Sequence, residues 1–261
     1  MTMITSVIHA GGKGTRLREA FEGPKAMAPI GEYPLIWYHL RPLLASKKIS
    51  KFVFTLMNEP EPIKKYLNKL MREEDYSYIK EPHPLGRAGS VRLGIENNEI
   101  DPDIPLLMSH PDDIIPINIE NLIEYGEKIS EKGKSLILVM AKKTTSPFGI
   151  GVTSGKNDVL ELEYFMEKPE LPLIANHYAN TGMALYLPEA LEWFKKAPLD
   201  QKTHPEDLII PNLVKKGKVA IYPIERWISV NYASDYEYVK KIGKNGLIKF
   251  VDVANKMLSQ E

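Results

Sequence analysis

Apolar positions recur along this chain with two alternating periods. Ile4, Val7 and Ile8 form a short apolar run that reads as a buried strand over residues 4–9. Residues 34–46 (PLIWYHLRPLLAS) set Ile36, Leu40, Leu43 and Leu44 on one helical face, with Pro34 suited to the first turn and Pro42 a candidate kink. Lys51–Leu56 is a second strand. Residues 61–72 form a helix with Ile63, Tyr66, Leu67 and Leu70 on one side. Short strands follow at 76–79 and at Ile104–Met108. Beyond them come a helix at 119–132, a buried strand at Ser135–Ala141 and an alternating strand at Val159–Met166. Helices at 188–196 and 204–216, a strand at Lys218–Tyr222 and a last helix at 244–261 complete the pattern. Thr203 with Glu206, and Ser234 with Glu237, read as capping boxes. Strand–helix–strand–helix order predicts a mostly parallel sheet with helices on both faces, and a ligand at the carboxyl ends of the strands.

Composition narrows the class. Of 261 residues, 43% are hydrophobic, enough for a sizeable core. Lys+Arg is 34 and Asp+Glu is 34, so no basic excess points to nucleic acid. Cysteine is absent, which rules out disulfides and thiolate metal sites and suits a cytoplasmic setting. No apolar run is long enough to span a membrane, and the opening residues lack a signal-peptide pattern, so no membrane partner is expected. The six histidines show no metal-ligand spacing and read as ordinary core or surface residues, with His83 and His110 merely near the candidate site described below.

The chemistry concentrates after the first strand. Gly11, Gly12 and Gly14 let the backbone turn sharply and bring its N–H groups near a ligand, and Arg16 and Lys25 add positive charge. A polyphosphate fits such a loop. A Walker A loop is excluded, because Gly14 follows Lys13 and Val7 stands where its first glycine belongs. A dinucleotide fingerprint is excluded because position 17 is Leu. Read on its glycines alone, the loop is equally a tight strand-to-helix turn with an incidental basic rim.

The whole string AGGKGTRL, followed by GPKAMAPIGEYPLIWY, resembles the signature of the sugar-1-phosphate nucleotidylyltransferases, G-G-x-G-T-R-L and then P-K. The resemblance continues as ordered blocks over roughly residues 4–240. It implies a Rossmann-like three-layer α/β sandwich around a mixed, mostly parallel sheet. No hexapeptide repeats are present, so no C-terminal β-helix is expected. It further implies one domain over 1–261, with a nucleotide-binding part at about 1–115, a sugar-phosphate-binding part at about 116–235 and the helix at 244–261. The substrates implied are a nucleoside triphosphate and a sugar 1-phosphate; relatives are often oligomers, so a homo-oligomer is possible.

Residue by residue, the resemblance assigns nucleotide binding to Ala10, Gly11, Gly12, Gly14, Thr15 and Arg16, and catalysis to Arg16, Lys25 and Lys168. Glu81, Leu85, Gly86, Ala88 and Gly89 resemble the second nucleotide segment, in which Arg87 replaces the usual Thr. In relatives the residues at Glu81 and Gly86 read the base edge. A carboxylate only accepts hydrogen bonds, and guanine offers two adjacent donors, so Glu81 tilts the base toward GTP; a solvated loop acid is the plainer reading. The acid after the central strand, by position Asp113, implies a ligand for the catalytic Mg²⁺, with Asp112 the substitute should the register differ by one. A Pro-Asp-Asp turn is the alternative there. Gly149, Glu167, Lys168, Asn180 and Gly182 match the blocks that contact sugar and phosphate.

One block departs. Relatives carry W-x-D-I-G-T with a second metal-binding Asp, whereas this chain has Trp227-Ile228-Ser229-Val230-Asn231-Tyr232. The expectation is therefore a nucleotidyltransferase, with a sugar-nucleotide-binding sensor or regulatory subunit of the same fold as its alternative.

Overall fold

The structure is a computed structural model that describes residues 2–12, 14–56, 61–142, 150–156, 159–166 and 177–256. β1 (Ile4–His9) leads through two 3-10 turns to β2 (Pro29–Ile30) and β3 (Tyr33–Pro34), which pair with each other, and to α1 (Leu35–Ala45). Next come β4 (Ile49–Leu56), α2 (Glu61–Leu67), β5 (Tyr76–Lys80), α3 (Gly86–Glu96), β6 (Leu106–Ser109), β7 (Asp113–Ile114) and α4 (Ile119–Ser130). Then follow β8 (Leu136–Lys142), β9 (Ile150–Lys156), β10 (Val159–Met166), β11 (His177–Tyr186) and α5 (Pro188–Leu191). The described chain finishes with α6 (Pro205–Lys215), β12 (Val219–Ile224), β13 (Ile228–Ser229) and α7 (Ala233–Lys256).

Among the described residues, nine strands form one sheet in the order β5-β4-β1-β6-β11-β8-β12-β10-β9. β10 and β11 run against the rest, so the sheet is mixed and mostly parallel, as expected. From β1 the chain steps outward to β4 and β5, then returns to place β6 on the other side of β1. That reversal leaves a crevice at the carboxyl ends of β1 and β6, the usual ligand position in such sheets.

Alternation along the strands feeds two cores. Ile4, Ile8, Leu107, Ile137 and Val139 pack with Ile36 and Leu40 of α1, Ile63 of α2 and Leu122 of α4. Val7, Leu106, Met108, Leu136 and Leu138 pack on the opposite face with Val91 of α3, Leu191 of α5 and Ile209 of α6. Helix layer, sheet and helix layer make the three-layer arrangement. A third cluster joins the outer side of α1, through Leu35 and Tyr38, to Leu17, Ile114, Val230 and α7 residues Val239, Leu247 and Val251. α7 thereby holds the glycine loop's 3-10 turn and the β7–β13 ladder against the body.

The helix caps differ from the sequence reading. α7 starts at Ala233, and non-helical Gly243 (φ 70°, ψ 173°) divides it into two helices, the second beginning at 244 as expected; residues 257–261 lie outside the described ones. Its entry is held by Asp235, whose carboxylate accepts the N–H groups of Asn231 and Tyr232, rather than by Ser234 with Glu237. The α6 cap is one residue later than expected. His204 is the cap and Asp207 reaches back to its N–H at 3.0 Å, because Pro205 lacks an N–H and takes the first helical position. α1 runs through Pro42 to Ala45. No helix among the described residues is long and apolar enough to cross a membrane.

Candidate active site

A cavity of about 380 Å³ opens at the carboxyl ends of β1 and β6. Ala10, Gly12, Gly14, Thr15, Arg16 and Lys25 line one wall, and His110, Pro111, Asp112 and Asn231 the other. Gly14 has two reasons to be glycine. Its φ of 58° lies in the left-handed region, and a Cβ there would sit 3.1 Å from Lys25 Cβ. The loop and the Lys25 turn therefore lie against each other. Arg16, in the 3-10 turn Thr15–Leu17, is exposed and places its guanidinium 5.5 Å from the centre of the Tyr232 ring.

Lys25 ties the two walls together. Its Nζ donates to Asp112 Oδ2 at 2.6 Å and to Asn231 Oδ1 at 3.1 Å. Asn231 Nδ2 in turn donates to Ser229 Oγ at 2.8 Å. Sequence reading did not anticipate Asn231 here; an amide in place of a glycine, two residues after Ser229, was the available signal.

The two aspartates divide. Asp112 faces the cavity, whereas Asp113 is 7% exposed and lies beneath it. Trp227 Nε1–H donates to Asp113 Oδ1 at 2.8 Å, and Ser229 stands directly across the β7–β13 ladder. Burial, aided by the Asp112 charge, pushes the Asp113 carboxyl up to about 7, against the pull of its hydrogen bonds to Trp227 and Ser229. An acid at position 229 would set another carboxylate against this one; serine supplies a hydroxyl donor instead.

Histidines brace the same floor. The Asp113 carbonyl can only accept, so His39 Nδ1 carries the proton and donates to it at 2.8 Å; Nε2 then accepts from Ser109 Oγ at 2.9 Å. Burial lowers His39 to about 4 and keeps it neutral. His9 and His110, also lowered by burial, line the cavity with ring centres 5.8 Å apart. His9 is thus a cleft residue rather than an ordinary core or surface one, and His110 lines the site it was expected to lie near.

β11 reaches this floor through an irregular register between Asn180 and Ala184. Gly182 (φ 80°) sits so close that a Cβ would lie 2.7 Å from His110 Nδ1 and 3.5 Å from Asp113 Oδ2. Asn180 Oδ1 accepts the Gly182 N–H at 3.0 Å. Glu81 is not in the cavity wall. It is buried at the end of β5, where its two oxygens accept from Leu85 N–H at 3.0 Å and Ser90 Oγ–H at 2.7 Å. It secures the turn into α3, and Gly86 opens that helix with φ 73°. Gly149, Glu167 and Lys168 lie outside the described residues.

Among the described residues, no three His, Cys, Asp or Glu side chains converge as a self-sufficient metal cage. One cavity-facing carboxylate, Asp112, fits the other way Mg²⁺ is held, through one or two carboxylates together with phosphate oxygens and water.

Among the described residues, glycines, two cations and one acid line this cavity at the switch point of a mixed sheet, an arrangement whose charge and shape suit an anionic ligand. The nucleotidyl transferase family model matches residues 5–239, and the chain belongs to that family. It is 26% identical over 238 residues to "Probable mannose-1-phosphate guanylyltransferase 1" of Oryza sativa subsp. japonica, covering 88% of this chain and 62% of the relative. It is 23% identical over 244 residues to UTP–glucose-1-phosphate uridylyltransferase of Synechocystis sp., covering 88% and 61%. The chain thus spans about three fifths of the length of these relatives. A solved UDP-glucose pyrophosphorylase complexed with UDP-glucose has the same fold, with a TM-score of 0.71 at 17% identity over 92% of this chain and 98% of that one.

Proposed function

We propose that the chain transfers a nucleotidyl group from a nucleoside triphosphate to a sugar 1-phosphate, releasing pyrophosphate. The observation that carries this reading is the convergence of Gly12, Gly14, Thr15, Arg16, Lys25 and Asp112 on one cavity. A phosphate oxygen of the sugar 1-phosphate attacks the α-phosphorus, and the bond to the pyrophosphate oxygen breaks. The nucleophile is already anionic, so neutralising and positioning charge supply the catalysis. In this reading the loop amides and Arg16 hold the triphosphate and leaving pyrophosphate, and Lys25 meets the reacting phosphates. Lys168 holds the sugar phosphate, Glu167 and Asn180 contact the sugar hydroxyls, and Gly149 and Gly182 let the backbone approach the sugar. Asp112 is the residue we assign to Mg²⁺, which when bound neutralises phosphate charge. Asp113, its neighbour in sequence, serves the floor instead. Residues 1–261 act as one unit, the nucleotide side at about 1–115 and the sugar side at about 116–235.

GTP is the triphosphate favoured by the sequence match at Glu81 alone; in the fold both Glu81 oxygens accept hydrogen bonds from the turn into α3. Each triphosphate tested against a panel of sugar 1-phosphates with Mg²⁺, read by pyrophosphate release, decides both points. Turnover with any pair supports the transferase, and the preferred triphosphate gives the base. Ser229 favours a second reading, a sugar-nucleotide-binding regulatory subunit; binding of a nucleotide sugar without turnover in the full panel would favour that and remove the first.

A further inference from the structure

Arg87 joins the turn into α3 to the far side of the cleft. Thr203 N–H donates to the Leu85 carbonyl at 2.8 Å, and Ala88 N–H to the Thr203 carbonyl at 3.0 Å. At Gly86 between them, a Cβ would lie 2.4 Å from the Thr203 carbonyl oxygen. This zipper lays Arg87 over the first turn of α6. There its Nη2 donates to Glu206 Oε2 at 2.6 Å and its Nε to His204 Nδ1 at 3.2 Å. Its Nη1 lies 3.2 Å from His110 Nε2. Arginine stays protonated, so the histidine nitrogens that face it are acceptors, and each ring proton sits on the other nitrogen.

Glu206 completes the link. Its side chain is 7% exposed, and its second oxygen, Oε1, accepts from Asn180 Nδ2 at 3.4 Å. The same asparagine turns its Oδ1 to the Gly182 N–H. An acceptor on one side and a donor on the other permit one orientation of the amide and forbid its flip. One N–H and one lone pair of Asn180 then remain for a ligand, a pattern that suits a hydroxyl, which both donates and accepts.

We propose that Arg87 and Glu206 are a positioning pair for the hydroxyl-bearing substrate: Arg87 holds Glu206, and Glu206 fixes the Asn180 amide. This rests on the nucleotidyltransferase reading. It makes a counterintuitive assignment, since Arg87 stands in the segment matched to nucleotide binding yet serves the sugar phosphate.

The test uses Arg87→Met, Arg87→Lys and the double variant Arg87→Met/Glu206→Leu. Arg87→Met strands a buried carboxylate, so it loses stability as well as positioning. The double variant removes both charges and recovers the melting temperature. Its KM for the sugar 1-phosphate is expected to stay raised about tenfold, the loss of one oriented hydrogen bond, while KM for the triphosphate changes by less than about threefold. Arg87→Lys, which keeps the charge without the fork, falls between. A double variant with the wild-type sugar KM, or with both KM values raised equally, overturns the proposal. A second readout needs no turnover: the Asn180 side-chain amide pair in a ¹⁵N-labelled spectrum, assigned by its loss in Asn180→Asp. The pair is expected at a shifted position in the wild type and near the free-amide position in the double variant. An unmoved pair overturns the clamp. If no substrate pair turns over in the wild type, the transferase reading falls by itself, and the amide spectrum still decides the clamp.

Discussion

Replacing Asp113 by Asn should make the protein more stable at alkaline pH and leave it nearly unchanged in acid. The carboxyl is buried against Trp227 and pushed from 3.8 to about 7 in the folded chain. Between those values the native state keeps a proton that the unfolded chain has lost, so folding stability falls as pH rises from about 4 to about 7. Each pH unit across that window costs about 1.4 kcal/mol, so the cost reaches about 4 kcal/mol at pH 8. Asparagine keeps an oxygen for the Trp227 N–H and has no charge to desolvate. The variant's advantage over the wild type should therefore grow from near zero at pH 4 to about 4 kcal/mol at pH 8. His39, lowered to about 4, contributes the opposite slope: its stability is lost as pH falls from about 6.5 toward 4. His39 is present in both proteins, so its contribution cancels in the difference. Urea unfolding followed by tryptophan fluorescence at pH steps from 4 to 8 measures it. A difference that stays flat within about 1 kcal/mol across the range would refute the buried, proton-holding Asp113.

Other changes separate loop chemistry from loop structure. Arg16→Ala and Lys25→Ala should each lower turnover by about two to three orders of magnitude in a pyrophosphate-release assay, with the folded protein retained; wild-type rates would contradict their roles. Gly12→Ala meets nothing within 4 Å in the folded chain. It should keep the melting temperature while raising KM for the triphosphate, and an unchanged KM would remove the loop from the site. Gly182→Ala combines φ 80° with a Cβ 2.7 Å from His110 Nδ1. It should lose about 2–3 kcal/mol in urea unfolding, and a loss under about 0.5 would show that the floor yields easily.

The layers of this fold were legible because its strands and helices carry clean periods. Val7 and Ile8 point to opposite faces of β1, and each finds its own helix layer. The glycine loop and Lys25 were legible through the family signature, since the glycines alone left a plain turn open; in the fold Gly14 lies against Lys25. Side-chain direction was less accessible. Which of two adjacent aspartates faces the cavity depends on the β7–β13 ladder and on Trp227, more than a hundred residues away in sequence. Glu81 looked free to read a base because nothing in its neighbourhood announced that Leu85 N–H and Ser90 Oγ would occupy its oxygens. The Arg87–Glu206 pair was invisible for the same reason, since its partners come from different segments that only the zipper at Thr203 brings together. The α6 cap moved by one residue because Pro205 imposed its own place in the first turn.

The central claim is that a triphosphate occupies the bend after β1, between Arg16, Lys25 and Asp112. A crystal of the protein soaked with a non-hydrolysable GTP analogue and Mg²⁺ measures this directly. The account predicts phosphate density within hydrogen-bond reach of the Gly12–Arg16 amides and of Lys25 Nζ. Ordered nucleotide bound elsewhere, with that bend empty, would contradict it.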